Sequence, residues 1–120
     1  MEKVSIIHTD DDDDLIVSFA IPGQDAANTK NLKLLRRANY EFLLSEEDRG
    51  VGVSYDDFPD EEDDKLKEIL WKEKEVRILS HHHEYALSVQ EVDANEIRDA
   101  QRILKKMNFD GRFQMEIVEP

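Results

Sequence analysis

The fold class is decided by one stretch of seven residues, Leu15–Ile21, which reads LIVSFAI. Every second residue in it is large and apolar, so an extended chain places four apolar side chains on one face: Leu15, Val17, Phe19 and Ile21. Pro22 and Gly23 follow directly and end the strand, because proline lacks a backbone donor and glycine favours turns. We therefore predict a β-strand over residues 15–21.

A second strand is predicted just before this one. Val4–Ile7 is short and mostly apolar, and the run Asp10–Asp14 separates it from Leu15. Adjacent like charges repel each other and favour solvent, so five consecutive aspartates are typical of a loop. The two strands and the acidic loop between them predict a β-hairpin.

The segment Asp93–Met107 predicts a helix. Asp93 can cap its N-terminus, and Glu96, three residues later, completes an acidic version of the capping box. Asn108 and Gly111 can end the helix. An apolar face follows from the helical spacing of Ile97, Ala100, Ile103, Leu104 and Met107.

Three further strands are indicated by alternating apolar residues. They lie over residues 50–55, over residues 84–90, and at the C-terminal end around Phe113, Met115 and Ile117. Residues 31–44 and 65–73 are ambiguous between helix and strand. Leu32 and Leu34 alternate as in a strand, whereas other apolar residues of both segments lie near helical spacing.

Strands that follow strands, with one helix near the end, predict an α+β fold. We expect a mainly antiparallel sheet of about six to eight strands, on which a helix of about residues 94–107 packs. A chain of 120 residues fits one core, so residues 1–120 are expected to form a single domain.

Composition excludes several classes of protein. The chain has no cysteine and no run of 18 apolar residues, which argues against zinc fingers, thiol catalysis and a membrane-spanning helix. The N-terminal residues lack the pattern of a signal peptide, and the absence of cysteine fits a cytoplasmic protein. Sixteen basic and 29 acidic residues give a net charge of −13, which argues against direct binding of nucleic acid.

Almost all of the excess charge lies in the first half of the chain. Residues 1–64 hold 6 basic and 18 acidic residues, and the acids concentrate in Asp10–Asp14 and Asp56–Asp64. Such asymmetry indicates a basic partner or a solubilising surface.

No residues predict catalysis or a bound metal or cofactor. Asp10–Asp14 lacks the glycine and the ligand spacing of a calcium loop. His81–His83 is expected to form a solvated turn between strands, because adjacent strand residues point to opposite faces and rarely build a tetrahedral site. Gly50 and Gly52 lack the remaining glycines and the helix start of a phosphate-binding loop.

The acidic loop, defined as residues 55–64, is the predicted partner-binding surface. Its acids can steer a basic protein toward it, and its aromatic residues can supply buried contact area. The alternative is a solvated loop whose Tyr55 and Phe58 turn into the core. The predicted contact residues are Tyr55, Asp56, Asp57, Phe58, Asp60, Glu61, Glu62, Asp63 and Asp64.

One order of segments runs from Asn31 to Met107: Leu32–Arg37, Glu41-Phe42, Glu46–Asp48, Gly50 and Gly52, Ser54–Asp57, Glu68–Ser80 and Tyr85–Val92, followed by the helix. In this order the chain resembles the immunity protein 10 family of small bacterial proteins. It departs from the family pattern after Tyr55, where an acidic segment replaces a glycine-rich one.

The resemblance implies a β-rich fold with strands over Leu32–Arg36 and Glu68–Lys72. It also implies a non-catalytic protein that binds and neutralises a cognate toxin in the bacterial cell that makes both. The acidic composition is compatible with a toxin that attacks nucleic acids, because such a toxin is basic where it holds phosphate. Two alternatives stay open. One is a small housekeeping or prophage domain whose acidic loops serve only solubility, and the other is a nucleic-acid mimic that blocks a DNA-binding protein.

Overall fold

Two sheets and one helix form the framework of the computed structural model, which describes residues 1–23, 28–60 and 63–118. The helix, α1, spans Ala94–Met107. The strands within the described residues are β1 (Glu2–Lys3), β2 (Ile6–Asp10), β3 (Leu15–Ile21), β4 (Lys30–Arg36), β5 (Gly52–Tyr55), β6 (Leu66–Lys72), β7 (Glu75–Ser80), β8 (Glu84–Ser88) and β9 (Gln114–Val118).

The four-stranded sheet has the order β2-β3-β4-β5, and each strand runs antiparallel to its neighbours. The predicted hairpin is its first pair, but its first strand covers Ile6–Asp10 and not Val4–Ile7, so Asp10 lies in the strand opposite Ile16 and not in the loop. Val17, Phe19 and Ile21 are buried as the alternation predicts, and Leu15 packs against the core from a partly buried position.

The five-stranded sheet has the order β1-β8-β7-β6-β9. Its two outer strands run parallel to their neighbours and its inner pairs are antiparallel. Because β6 and β7 pair along their length, residues 66–72 form a strand, which settles the ambiguity over residues 65–73. The ambiguity over residues 31–44 resolves into β4, which covers residues 30–36, followed by a 3₁₀ helix at Ala38–Leu43.

The two sheets share one core. Phe19 of β3 contacts Trp71 of β6, with ring centroids 6.2 Å apart, and α1 packs against β2 and β3. The predicted α+β class is therefore confirmed, with the strands divided between two sheets. No helix in the described part of the chain has the length and apolar composition needed to cross a membrane.

The helix begins and ends where the sequence predicts. Asp93 accepts a hydrogen bond from the Asn95 N–H at 2.8 Å, and Gly111 adopts a φ of +69° just after the helix. Glu96 does not complete a capping box. Its carboxylate accepts the N–H of Ile7 in β2 at 2.8 Å, so it ties the first turn of the helix to the sheet.

Candidate functional site

The acidic loop leaves the end of β5 in an ordered turn. The Phe58 N–H donates to the Tyr55 carbonyl at 2.9 Å. Asp56 Oδ2 accepts the Asn31 N–H at 2.8 Å, and Asp57 forms an ion pair of 2.7 Å with Lys30. Two of its acids are therefore already engaged with the beginning of β4.

Four rings pack together beneath this turn. Phe58 stacks on His83 with centroids 4.0 Å apart and an angle of 3° between the rings. Tyr55 contacts Phe58 at 5.9 Å and Tyr85 at 5.5 Å, both edge to face. Burial raises the pKa of Tyr55, and the nearby Asp57 carboxylate adds to the effect. The cluster fixes the turn against the five-stranded sheet, and Phe58 keeps 38% of its surface exposed.

The end of the acidic loop turns inward. Asp64 is buried, and its carboxylate accepts the Ser80 hydroxyl at 2.6 Å and the His82 N–H at 3.0 Å. Its role is to hold the turn that carries the three histidines, and its burial leaves this predicted contact residue inaccessible to a partner. Asp60 and Asp63 are exposed, whereas Glu61 and Glu62 lie outside the described residues.

The other acidic run, Asp10–Asp14, begins with the last residue of β2 and continues as the connection to β3. Asp11 pairs with Lys106 at 2.9 Å and Arg102 at 3.2 Å, and these contacts lower the pKa of its carboxyl group. Asp14 lies 3.4 Å from Arg37. The run is thus held against α1 and the end of β4, and Asp10, Asp12 and Asp13 remain exposed.

No three His, Asp or Glu side chains within residues 1–23, 28–60 and 63–118 form a group that could hold a metal ion. His81–His83 forms the turn between β7 and β8, as predicted. His81 and His82 are exposed, while the ring of His83 lies in the aromatic cluster.

A buried arginine forms a centre that sequence reasoning missed. The Arg36 guanidinium donates to both carboxylate oxygens of Glu41 at 2.8–3.2 Å and to both of Asp110 at 2.8 Å. It also donates to the Met107 carbonyl at 2.6 Å, and the ring of Phe109 covers it at 4.1 Å. One side chain therefore joins β4, the 3₁₀ helix and the end of α1.

Hydrogen bonds between opposite charges favour the ionised forms of Arg36, Asp110 and Glu41 in this centre. Burial alone would lower the pKa of Arg36, but the hydrogen bonds to Asp110 and Glu41 outweigh it and raise that pKa. The hydrogen bond from Arg36 holds the pKa of Asp110 well below its usual range. Burial opposes ionisation of Glu41, yet Arg36 and the Gly50 N–H together lower its pKa.

Beside this centre lies an exposed apolar segment, which we define as Tyr40, Phe42, Leu43 and Leu44. A signal for it was present in the sequence. Residues 42–44 are three consecutive large apolar residues, and one face of a helix or strand cannot bury all three.

The chain was compared with family models, curated proteins and solved structures, and no match was found. The resemblance to the immunity protein 10 family stays a prediction based on the residues quoted above.

Proposed function

We propose that this chain is a non-catalytic protein that binds a basic protein and neutralises it, as the resemblance to bacterial immunity proteins implies. One observation supports the proposal most directly. Acidic runs lie at opposite ends of the four-stranded sheet, and internal contacts hold both in place. Leu32, near the acidic loop, and Arg36, near the aspartate run, are about 13 Å apart along β4.

Fixed negative charge of this kind favours rapid capture of a positively charged partner. Asp10, Asp12 and Asp13 at one end, and Asp60 and Asp63 at the other, are exposed. Their summed field would raise the association rate with a basic protein, most strongly at low ionic strength. A toxin that acts on nucleic acids carries basic groups where it holds phosphate, so an acidic protein bound there would block access.

The exposed apolar segment favours this function over a domain whose acidic loops serve only solubility. A solvating surface has no need of four large apolar side chains in five positions, whereas an interface does. The acids lie in compact runs and not along one strip, which fits a protein-binding surface better than an imitation of a phosphate backbone.

The test is capture with the purified full-length chain from cells that naturally make it, at about 50 mM and about 500 mM salt, conditions that change screening strongly. We expect one basic protein that is retained best at low salt. That protein should stop growth when expressed alone and be harmless when this chain is co-expressed. A captured protein that is equally toxic with and without this chain would refute the neutralising role. So would the absence of any captured basic protein at both salt concentrations.

A further inference from the structure

The exposed apolar segment is the largest concentration of uncovered apolar side chains in the described residues. Phe42 and Leu43 keep 74% and 71% of their surface exposed, and Tyr40 and Leu44 are exposed as well. Single exposed apolar residues are common on proteins and need no explanation. Four within five positions are a local concentration of exposed apolar side chains, and such concentrations mark interaction sites.

The backbone beneath this segment is held rigidly. Ala38–Leu43 is a 3₁₀ helix in which the Leu44 N–H donates to the Glu41 carbonyl at 2.9 Å. Glu41 points inward from the same helix, where it binds Arg36 and accepts the Gly50 N–H at 3.1 Å. These contacts set the backbone from which the neighbouring side chains project into solvent. A partner would not have to order this backbone, which lowers the free-energy cost of binding.

Phe109 is a further exposed apolar residue beside the Arg36 centre. Its ring lies over the Arg36 guanidinium, 4.1 Å from the central carbon to the ring centroid, and 63% of Phe109 is exposed. Arg36 also binds Glu41 of the 3₁₀ helix, so one guanidinium contacts both the Phe109 ring and the helix that carries the apolar segment. An exposed ring 65 positions further along the chain than Leu44 is thereby tied to the same centre.

Acidic residues border this surface on two sides. Glu46–Asp48 follows after Ser45, and all three of its residues are exposed. On the other side, Asn39 donates to the Asp13 carbonyl at 3.4 Å and Arg37 pairs with Asp14, which brings the aspartate run alongside. Three arginines lie at this border as well: Arg37 pairs with Asp14, Arg112 with Glu46, and Arg49 donates to the Leu44 carbonyl. The five acids Asp13, Asp14 and Glu46–Asp48 outnumber them, so the border keeps a net negative charge.

On the basis of the proposed function, we infer that this apolar segment, with Phe109 and its acidic border, is the docking surface for the basic protein. Aromatic and aliphatic side chains at the centre with charged residues at the rim are the usual anatomy of an interface. The matching surface on the partner is an apolar depression edged by lysine and arginine. A second copy of this chain fits poorly, because a two-fold contact would place acidic borders against each other.

Site-specific photo-cross-linking distinguishes this surface from the acidic loop. The full chain carries p-benzoylphenylalanine in place of Phe42 in one preparation and in place of Phe58 in another, in cells that naturally make the protein. We expect a cross-link to a basic protein from position 42 and none from position 58. A cross-link from position 58 alone would overturn the docking surface and leave the proposed function intact. Cross-linking of position 42 to a second copy of this chain would overturn the assignment of a basic protein as the partner.

The affinity for the cross-linked protein tests the same docking surface quantitatively. Phe42→Ser/Leu43→Ser should weaken binding by at least about 100-fold, mainly through faster dissociation. Ile6→Ser, at an exposed apolar residue of β2, is the matched control and should change affinity less than about threefold. Both variants should unfold at the same urea concentration as the parent, because all three side chains face solvent. Equal affinities for the parent and the double variant would overturn the inference.

Discussion

Arg36 Nη2 lies 2.8 Å from Glu41 Oε1, and less than a tenth of either side chain is exposed to solvent. The pair connects the last residue of β4 to the 3₁₀ helix that carries the apolar segment. A buried ion pair is weak support for stability as a whole, but removal of one partner leaves the other charge uncompensated. The integrity of the proposed docking surface therefore depends on this contact.

Arg36→Met is expected to lower the free energy of unfolding by about 3–5 kcal/mol, because Glu41 would keep a buried charge without its partner. Arg37→Met is the matched control. Arg37 is exposed and pairs with Asp14 at 3.4 Å, so its loss should cost less than about 1 kcal/mol. Urea denaturation, monitored by the fluorescence of Trp71, measures the free energy of unfolding of both variants. Equal decreases in the two variants would contradict the role of Arg36 as the partner of a buried charge.

Lowering the pH should destabilise the folded chain by protonating Asp110 and Glu41, the two carboxylates that bind Arg36. The pKa values of Asp110 and Glu41 are lower in the folded chain than in the unfolded one, where carboxyl groups titrate near about 4. Their contribution is therefore complete above that range and is lost as the pH falls through the folded values.

We expect Asp110→Asn to be less stable than the parent by a constant amount between about pH 7 and pH 5 and by a shrinking amount below about pH 4. Asp12→Asn, at an exposed carboxylate, should differ little from the parent over the whole range. Urea denaturation at each pH measures the two differences. A difference for Asp110→Asn that does not depend on pH would refute this account.

Asp64→Ala should lower the free energy of unfolding by about 1–3 kcal/mol, since the Ser80 hydroxyl and the His82 N–H would lose a buried acceptor. Asp60→Ala removes an exposed carboxylate from the same loop and is expected to change stability by less than about 0.5 kcal/mol. Hydrogen exchange provides a local measurement. The His82 amide should exchange faster in Asp64→Ala only, and unchanged exchange there would argue against the contact.

Glu96→Ala is expected to expose the edge of β2 at Ile7. The Ile7 N–H donates to the Glu96 carboxylate at 2.8 Å, and a hydrogen bond to a charged group contributes about 1.5–3 kcal/mol. Glu96→Gln keeps an acceptor and should retain most of that stability. The exchange rate of the Ile7 amide separates the two variants, and similar rates in both would show that Glu96 acts elsewhere.

The elements with clean periodicity could be predicted from the sequence. Leu15–Ile21 alternates over seven residues, and the apolar face of α1 returns every three or four residues. Residues 66–72 could not be assigned, because a register shift between Leu66 and Glu68 interrupts the alternation of β6. The division into two sheets also escaped prediction, since pairing between distant strands leaves no local pattern.

Arg36 shows why the buried arginine centre and the apolar segment beside it were not predicted. It continues the buried face of Leu32 and Leu34 at period two, so its inward position could be read from β4 alone. Its acidic partners could not be predicted, because Asp110 is 74 positions away and Glu41 is one of several carboxylates that follow Arg36 in the sequence. Charge density singles out the acidic loop, whereas the exposed apolar residues follow the point at which the alternating buried residues of β4 end.

The parallel pairing of β1 with β8 has a consequence for the order of folding. Glu2 lies opposite Leu87, so β1 cannot find its place until most of the chain has been synthesised. The four-stranded sheet joins strands that are neighbours in sequence, and its longest connection is residues 37–51, which favours its early formation on the ribosome. Until β6 emerges, Phe19 has no Trp71 to pack against, and the growing chain presents an apolar sheet face that a chaperone would recognise.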